Sequence, residues 1–222
     1  MKRSLQTLGL LLLLAQPSLA AARTFHNLHP SPQPERHTER PSRRSLRAHV
    51  RESSALNLQN RSTNDVSLDR TFSDAGGSVK IQYPSSWERQ DLNEHTPPLT
   101  LTVMFLSRDD RSDGVRQNVN LVVEDLESAM TLPQYTELGI KMEREYFGTI
   151  DLLTSDDILV AGTYRSHRII FTAELSGGTM KFEQIWMLRD KKAHVWTFAD
   201  TEDLFDAHVK TFERMMDTLV VE

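Results

Sequence analysis

The chain has 222 residues, with 26 Lys+Arg against 31 Asp+Glu, a net charge of −5, 8 His and no Cys. The absence of Cys excludes disulfides, zinc–thiolate and iron–sulfur sites, thiol nucleophiles and any lipid-bearing cysteine anchor. A hydrophobic share of 38 % is low for one compact domain, so part of the chain is expected to lie outside any core.

Residues 1–22 read as a secretory signal peptide. Lys2 and Arg3 open it, an apolar run from Leu8 to Ala15 follows, Pro17 breaks that run, and Ser18/Ala20 or Ala20/Ala22 supply the small pair before a cleavage site. The apolar run is far short of the ~20 residues that cross a bilayer as a helix, so export with cleavage is expected rather than a membrane anchor.

Residues 23–70 read as a disordered Pro/Arg-rich linker. Pro30, Pro32, Pro34 and Pro41 alternate with His, Ser and Arg, and large apolar residues are sparse and aperiodic. Such a stretch cannot bury enough surface to offset its ordering entropy. It holds 9 Arg against 5 acids, a charge of +4. Arg40, Arg43, Arg44, Arg47 and Arg51 have loose helical spacing, which permits weak contact with an anionic membrane surface; a solvated tether is the plainer reading. His26, His29, His37 and His49 are too irregular in spacing to read as a metal site. Asn60-Arg61-Ser62 fits a glycosylation acceptor, a tripeptide common by chance.

Residues 71–222 carry 15 basic and 26 acidic residues, a charge of −11. An acidic domain behind a basic tail argues against a nucleic-acid partner, which needs clustered Lys/Arg on the folded part. Strands are predicted at Val79–Tyr83, at Leu99–Leu106 with Leu99, Leu101, Val103 and Phe105 on one face, and at Asn118–Glu124. Thr131-Leu132-Pro133-Gln134 is a capping box, and Tyr135, Leu138, Met142 and Tyr146 form one stripe, predicting a helix over 132–147 that stops at Gly148. Further strands are predicted at Ile150–Thr154, Leu159–Tyr164, Arg168–Leu175, Met180–Leu188 and Ala193–Ala199, with a hairpin turn at Ser176-Gly177-Gly178. A last amphipathic helix spans about 202–219, with Phe205, Val209, Phe212, Met216 and Leu219 on its stripe. Tight polar turns between strands imply an antiparallel sheet. Strands apolar on both sides, notably 99–106 and 180–188, imply helices over both faces: a three-layer α/β/α sandwich around a central antiparallel sheet.

Chemistry-bearing patterns are few. Gly177-Gly178 lacks the Lys-Ser/Thr of a phosphate loop, and no Gly-x-Ser-x-Gly elbow occurs. Asp109–Gly114 begins like a calcium loop, but Arg111 takes a ligand slot and Asn120 stands where the bidentate Glu belongs. His95, His167, His194 and His208 read as surface or edge residues, with contact between His167 and His194 across neighbouring strands left open. Trp87, Trp186 and Trp196 read as core anchors. The acids of Asp200-Thr201-Glu202-Asp203 suit a helix start. No catalytic, cofactor-binding or metal-ligating residue is assigned, and no cofactor is expected.

Taken in order, these pieces resemble the PsbP-like superfamily, which includes bacterial DcrB-like envelope proteins, extrinsic subunits of photosystem II and a nuclear Ran-binding protein. Gly77–Glu88 (GSVKIQYPSSWE) is similar to its opening strand followed by Pro and Trp. Asn118–Asp125 (NVNLVVED) is similar to its Asn-rich strand, and Leu132–Tyr135 (LPQY) to the start of its first helix. Lys181–Gln184, Lys192–Ala199 and Phe205–Leu219 are similar to its closing elements. The resemblance spans 71–222. It implies an α/β/α sandwich and a non-enzymatic role in binding or assembly. The expected function is therefore an exported, non-catalytic binding or assembly protein of the cell envelope, DcrB-like, in the periplasm or outside the cell, with an envelope or membrane-associated protein as partner. In a photosynthetic host the same fold would serve as an extrinsic photosystem II assembly or stabilising factor in the thylakoid lumen. A hydrolase built from scattered Asp, Glu and His is the alternative of another class; the sequence alone places no two such groups within hydrogen-bond reach.

Overall fold

A computed structural model describes residues 66–108, 115–175 and 177–222. The residues read as a signal peptide, almost all of those read as a linker, with the Arg run and Asn60, and Asp109–Gly114 lie outside the described residues.

Ten strands and two helices follow in chain order among the described residues: β1 Arg70–Ser73, β2 Val79–Tyr83, β3 Glu88–Thr96, β4 Leu99–Leu106, β5 Asn118–Asp125, α1 Leu132–Phe147, β6 Ile150–Val160, β7 Tyr164–Leu175, β8 Gly178–Arg189, β9 Lys192–Thr201, α2 Glu202–Asp217 and β10 Val220–Val221. Seven strands form the central sheet in the order β3-β4-β5-β9-β8-β7-β6; β1, β2 and β10 form a small second sheet. Every pairing is antiparallel.

The three layers follow from which side chains each strand turns to each face. Tyr135 and Met142 of α1 pack with Leu101, Val122, Phe171, Phe182 and Val195 on one face of the large sheet. On the other, Phe205, Phe212, Met215 and Met216 of α2, with Val79 and Ile81 of β2, pack on Val119, Leu121, Ile185, Trp196 and Phe198. One outer layer is thus α1, and the opposite one combines α2 with the small sheet. Phe198 lies 5.2 Å from Phe205 and 5.8 Å from Phe212, so α2 is held by aromatic contact as well as by area.

Thr131 caps α1 as the sequence predicts: its Oγ accepts from the Gln134 amide, and Gln134 Oε1 accepts from the Thr131 amide at 2.9 Å. Asp190 and Lys191, at φ 51° and 58°, make the two-residue turn between β8 and β9.

Three expectations need correction. The residues Leu99, Leu101, Val103 and Phe105 do not share a face. A bulge between Leu101 and Val103 turns the first pair toward α1 and the second toward α2. Ile150–Thr154 and Leu159–Tyr164 are not separate strands: β6 runs unbroken through Ser155-Asp156-Asp157, and the chain turns at Ala161-Gly162-Thr163. The polar triplet reads as a breaker because its partners lie on β7. The strand β3, with the sequence ERQDLNEHT, lacks apolar alternation because it is a solvated edge. The last helix ends at Asp217, and Leu219 and Val221 pack beyond it as the chain enters β10.

Candidate functional site

The densest arrangement of polar side chains lies where β6 and β7 meet under the start of α1. Ser155 and Asp157 are two apart on β6 and so point to the same face. His167 of β7 is the direct register partner of Asp157. Its Nδ1 is 2.6 Å from Asp157 Oδ1, and its Nε2 is 2.9 Å from Ser155 Oγ. With Asp157 ionised, Nδ1 carries the proton and Nε2 accepts from the Ser155 hydroxyl. On the next strand, Trp186 is the register partner of His167, and the two rings stack at 5.7 Å and 20°. Trp186 donates its indole N–H to Thr136 Oγ1 of α1 at 3.1 Å. Gly139 of α1 faces the same ring; a Cβ there would stand 3.4 Å from the indole, in ordinary van der Waals contact. The imidazole is therefore fixed in plane by Trp186 and in tautomer by Asp157. It is nearly buried, while the Asp157 side chain is 67 % exposed.

Further along α1, Glu143 is buried against β8 and accepts from Gln184 Nε2 at 3.0 Å. Burial pushes its carboxyl up to about 7. Tyr135 donates its hydroxyl to Glu124 of β5 at 2.8 Å, and burial raises both groups. On the opposite face, Glu183 of β8 is pushed up to about 7 by burial and by the Glu213 carboxylate of α2. Arg168 forks onto Asp156 at 3.0 and 2.8 Å. Buried Asp200 holds His208 Nδ1 at 2.7 Å and accepts the Thr201 amide at 2.8 Å.

Among the described residues no strand pairs with the outer edge of β6. Among the described residues, the exposed large apolar side chains are Leu153 and Leu159 of β6 and Val220 of β10. A groove of about 520 Å³ runs between β6 and the flank of α1, lined by Leu152 and Ile140 and by Glu137, Glu145, Lys141 and Arg144, whose charges balance. A cleft of about 190 Å³ sits beside Asp157, lined also by Leu132, Leu159 and Arg165.

His167 and His194 do not meet. They stand on β7 and β9 with β8 between them, and they face opposite sides, His167 toward Trp186 and His194 beside Met187 in the α2-side layer. Both are buried rather than at the surface, and burial lowers the His194 pKa. His95 is exposed and contacts Thr100. Trp87, Trp186 and Trp196 are buried, as predicted. Among the described residues no three His, Asp or Glu converge as metal ligands. The trio of Ser155, Asp157 and His167 escaped sequence reasoning. Its one signal was a polar i, i+2 pair, Ser155 and Asp157, with a His about ten residues on across a hairpin.

No protein-family model matches the chain, and no curated protein matches it in sequence. Solved structures do match in fold. The cyanobacterial PsbP (CyanoP) of Synechocystis sp. PCC 6803 aligns with a TM-score of 0.53 at 15 % identity, over 69 % of this chain and 92 % of that one. PA94 of Pseudomonas aeruginosa aligns with a TM-score of 0.50 at 12 % identity, over 69 % of this chain and 96 % of that one.

Proposed function

We propose that this PsbP-like domain is the working part of an exported, non-catalytic binding or assembly protein of the cell envelope, and that β6 with the flank of α1 takes its partner. The carrying observation is the edge of β6. It is eleven residues long, pairs with β7 alone among the described residues, and leaves Leu153 and Leu159 half or more exposed beside an apolar-floored groove. A free edge offers main-chain hydrogen bonds to an added strand, and neighbouring apolar side chains give it register. The occupant is an extended, basic segment of an envelope protein. The −11 charge of residues 71–222 and the aspartates at 151, 156 and 157 on β6 favour it and repel a second copy of the same strand.

Export is supported by the charged-apolar-small order of residues 1–22. Among the described residues no helix is long and apolar enough to cross a membrane. The Arg-rich tether adds reach and weak attraction to anionic lipid. The test uses the full chain and a labelled peptide alternating Lys with Val. Saturable binding that weakens as salt rises, and that Leu153→Lys with Leu159→Lys removes, supports the reading. Equal binding of a Glu/Val peptide, or self-association through β6 in sedimentation, overturns it. Sequencing the amino terminus of the protein made in its own host should find it beginning just after Ala20 or Ala22; an uncleaved chain retained in the cytosol overturns the export step.

A further inference from the structure

We propose that Ser155 is an activated nucleophile, with His167 as its base and Asp157 as the residue that positions that base, and that it accepts an acyl group from a carboxylic ester. This goes beyond the binding role, does not depend on it, and replaces the non-catalytic part of that reading.

The geometry carries the proposal. Nucleophile to base is 2.9 Å and base to carboxylate 2.6 Å, through the two different ring nitrogens. That is the order a serine nucleophile needs: the hydroxyl on Nε2, the orienting carboxylate on Nδ1. Stacking on Trp186, itself tied to Thr136, removes the ring rotation that would spoil the alignment. Ser155 is exposed on an edge strand, so an ester can reach it. A cleft of about 190 Å³ opens on the Leu159 side of Asp157, lined also by Leu132 and Arg165.

The step balances without a co-reactant. Ser155 Oγ bonds to the ester carbonyl carbon while its proton passes to His167 Nε2. The carbon–oxygen bond to the alcohol then breaks, and the alcohol leaves with the proton from His167. Ser155 is left as its ester, which water can later cleave through the same base.

The probe is a fluorophosphonate, which forms an Oγ–phosphorus bond and releases fluoride. The full-length chain is treated and the adduct located by mass spectrometry. Ser155 is expected to label at least tenfold faster than any other hydroxyl. His167→Gln and Asp157→Asn should each slow it by about tenfold or more, within the range a positioned base supplies. Asp157→Glu should restore part of the rate, which a merely structural carboxylate would not do. Release of 4-nitrophenol from its acetate should show an initial burst that Ser155→Ala abolishes. Asp157 is exposed, so its variants stay folded even if His167→Gln does not, and circular dichroism checks each. Labelling spread over several residues, or labelling of Ser155 unchanged by Asp157→Asn, overturns the proposal. Peptide binding at β6 is measured on the same samples, so failure of one reading leaves the other standing.

Discussion

The two edges of the seven-stranded sheet solve the same problem in opposite ways. At one edge β3 is charged along its length, carries the ion pairs Arg89–Asp91 and Arg116–Glu88, and is bulged between Asp91 and Glu94 with Asn93 at φ 48°. Those features discourage any further strand. At the other edge β6 is longer, keeps Leu153 and Leu159 in water and lines two clefts. Its polar residues turn inward to β7 instead: Asp156 to Arg168, and Ser155 and Asp157 to His167. The comparison teaches that one edge is closed by its own chemistry and the other is supported from behind and left available.

The largest effect should come from removing that support. Trp186→Ala deletes a ring 1 % exposed that carries His167 and anchors α1, and should cost about 3–5 kcal/mol in chemical denaturation. Leu92→Ala at the β3 edge, where the side chain is half-buried, should cost about 1 kcal/mol. Equal losses would erase the contrast.

Next in size is a pH effect that belongs to the centre of the sheet and not to either edge. Glu143 and Glu183 are raised from 4.5 to about 7 in the folded state. The unfolded chain therefore ionises first, and stability falls as pH rises from about 4.5 to about 7, then levels off. Each group accounts for about 3 kcal/mol at most. Glu143→Gln keeps the bond to Gln184 and should flatten its share of the slope; stability profiles of the two proteins from pH 4 to 9 make the check.

Breaking the fork on β6 should cost less. Arg168 and Asp156 are partly exposed, so Asp156→Ala is expected to lower stability by about 1 kcal/mol, and less at high salt. The smallest stability change, within about 0.5 kcal/mol, is expected for Leu153→Lys with Leu159→Lys, since both side chains already stand in water. The same pair should abolish peptide binding, whereas a charge reversal at Arg89 on β3 should leave it unchanged in a fluorescence titration.

Local chemistry carried much of the architecture into plain view. The capping box at Thr131, the stripe from Tyr135 to Tyr146, and the alternation of Val79–Tyr83 and Asn118–Glu124 each depend on neighbours in the chain, and each element stands where its pattern places it. Apolar residues on both sides of β4 and β8 required cover on both faces, which gives the three layers. The small sheet was hidden because β1 and β10 are four and two residues long and exist only where β2 pairs with them.

The candidate site lay wholly beyond local reading. In sequence, Ser155-Asp156-Asp157 is a polar interruption and His167 one imidazole among eight. Chain order and side-chain type fixed the acidic charge of the domain and the kind of each main element, because those properties are set within a few residues. Which histidine meets which carboxylate, which buried Glu lies under a helix, and which edge stays open were decided by strand order and register. These bring together groups ten to forty positions apart, and no local periodicity encodes that meeting.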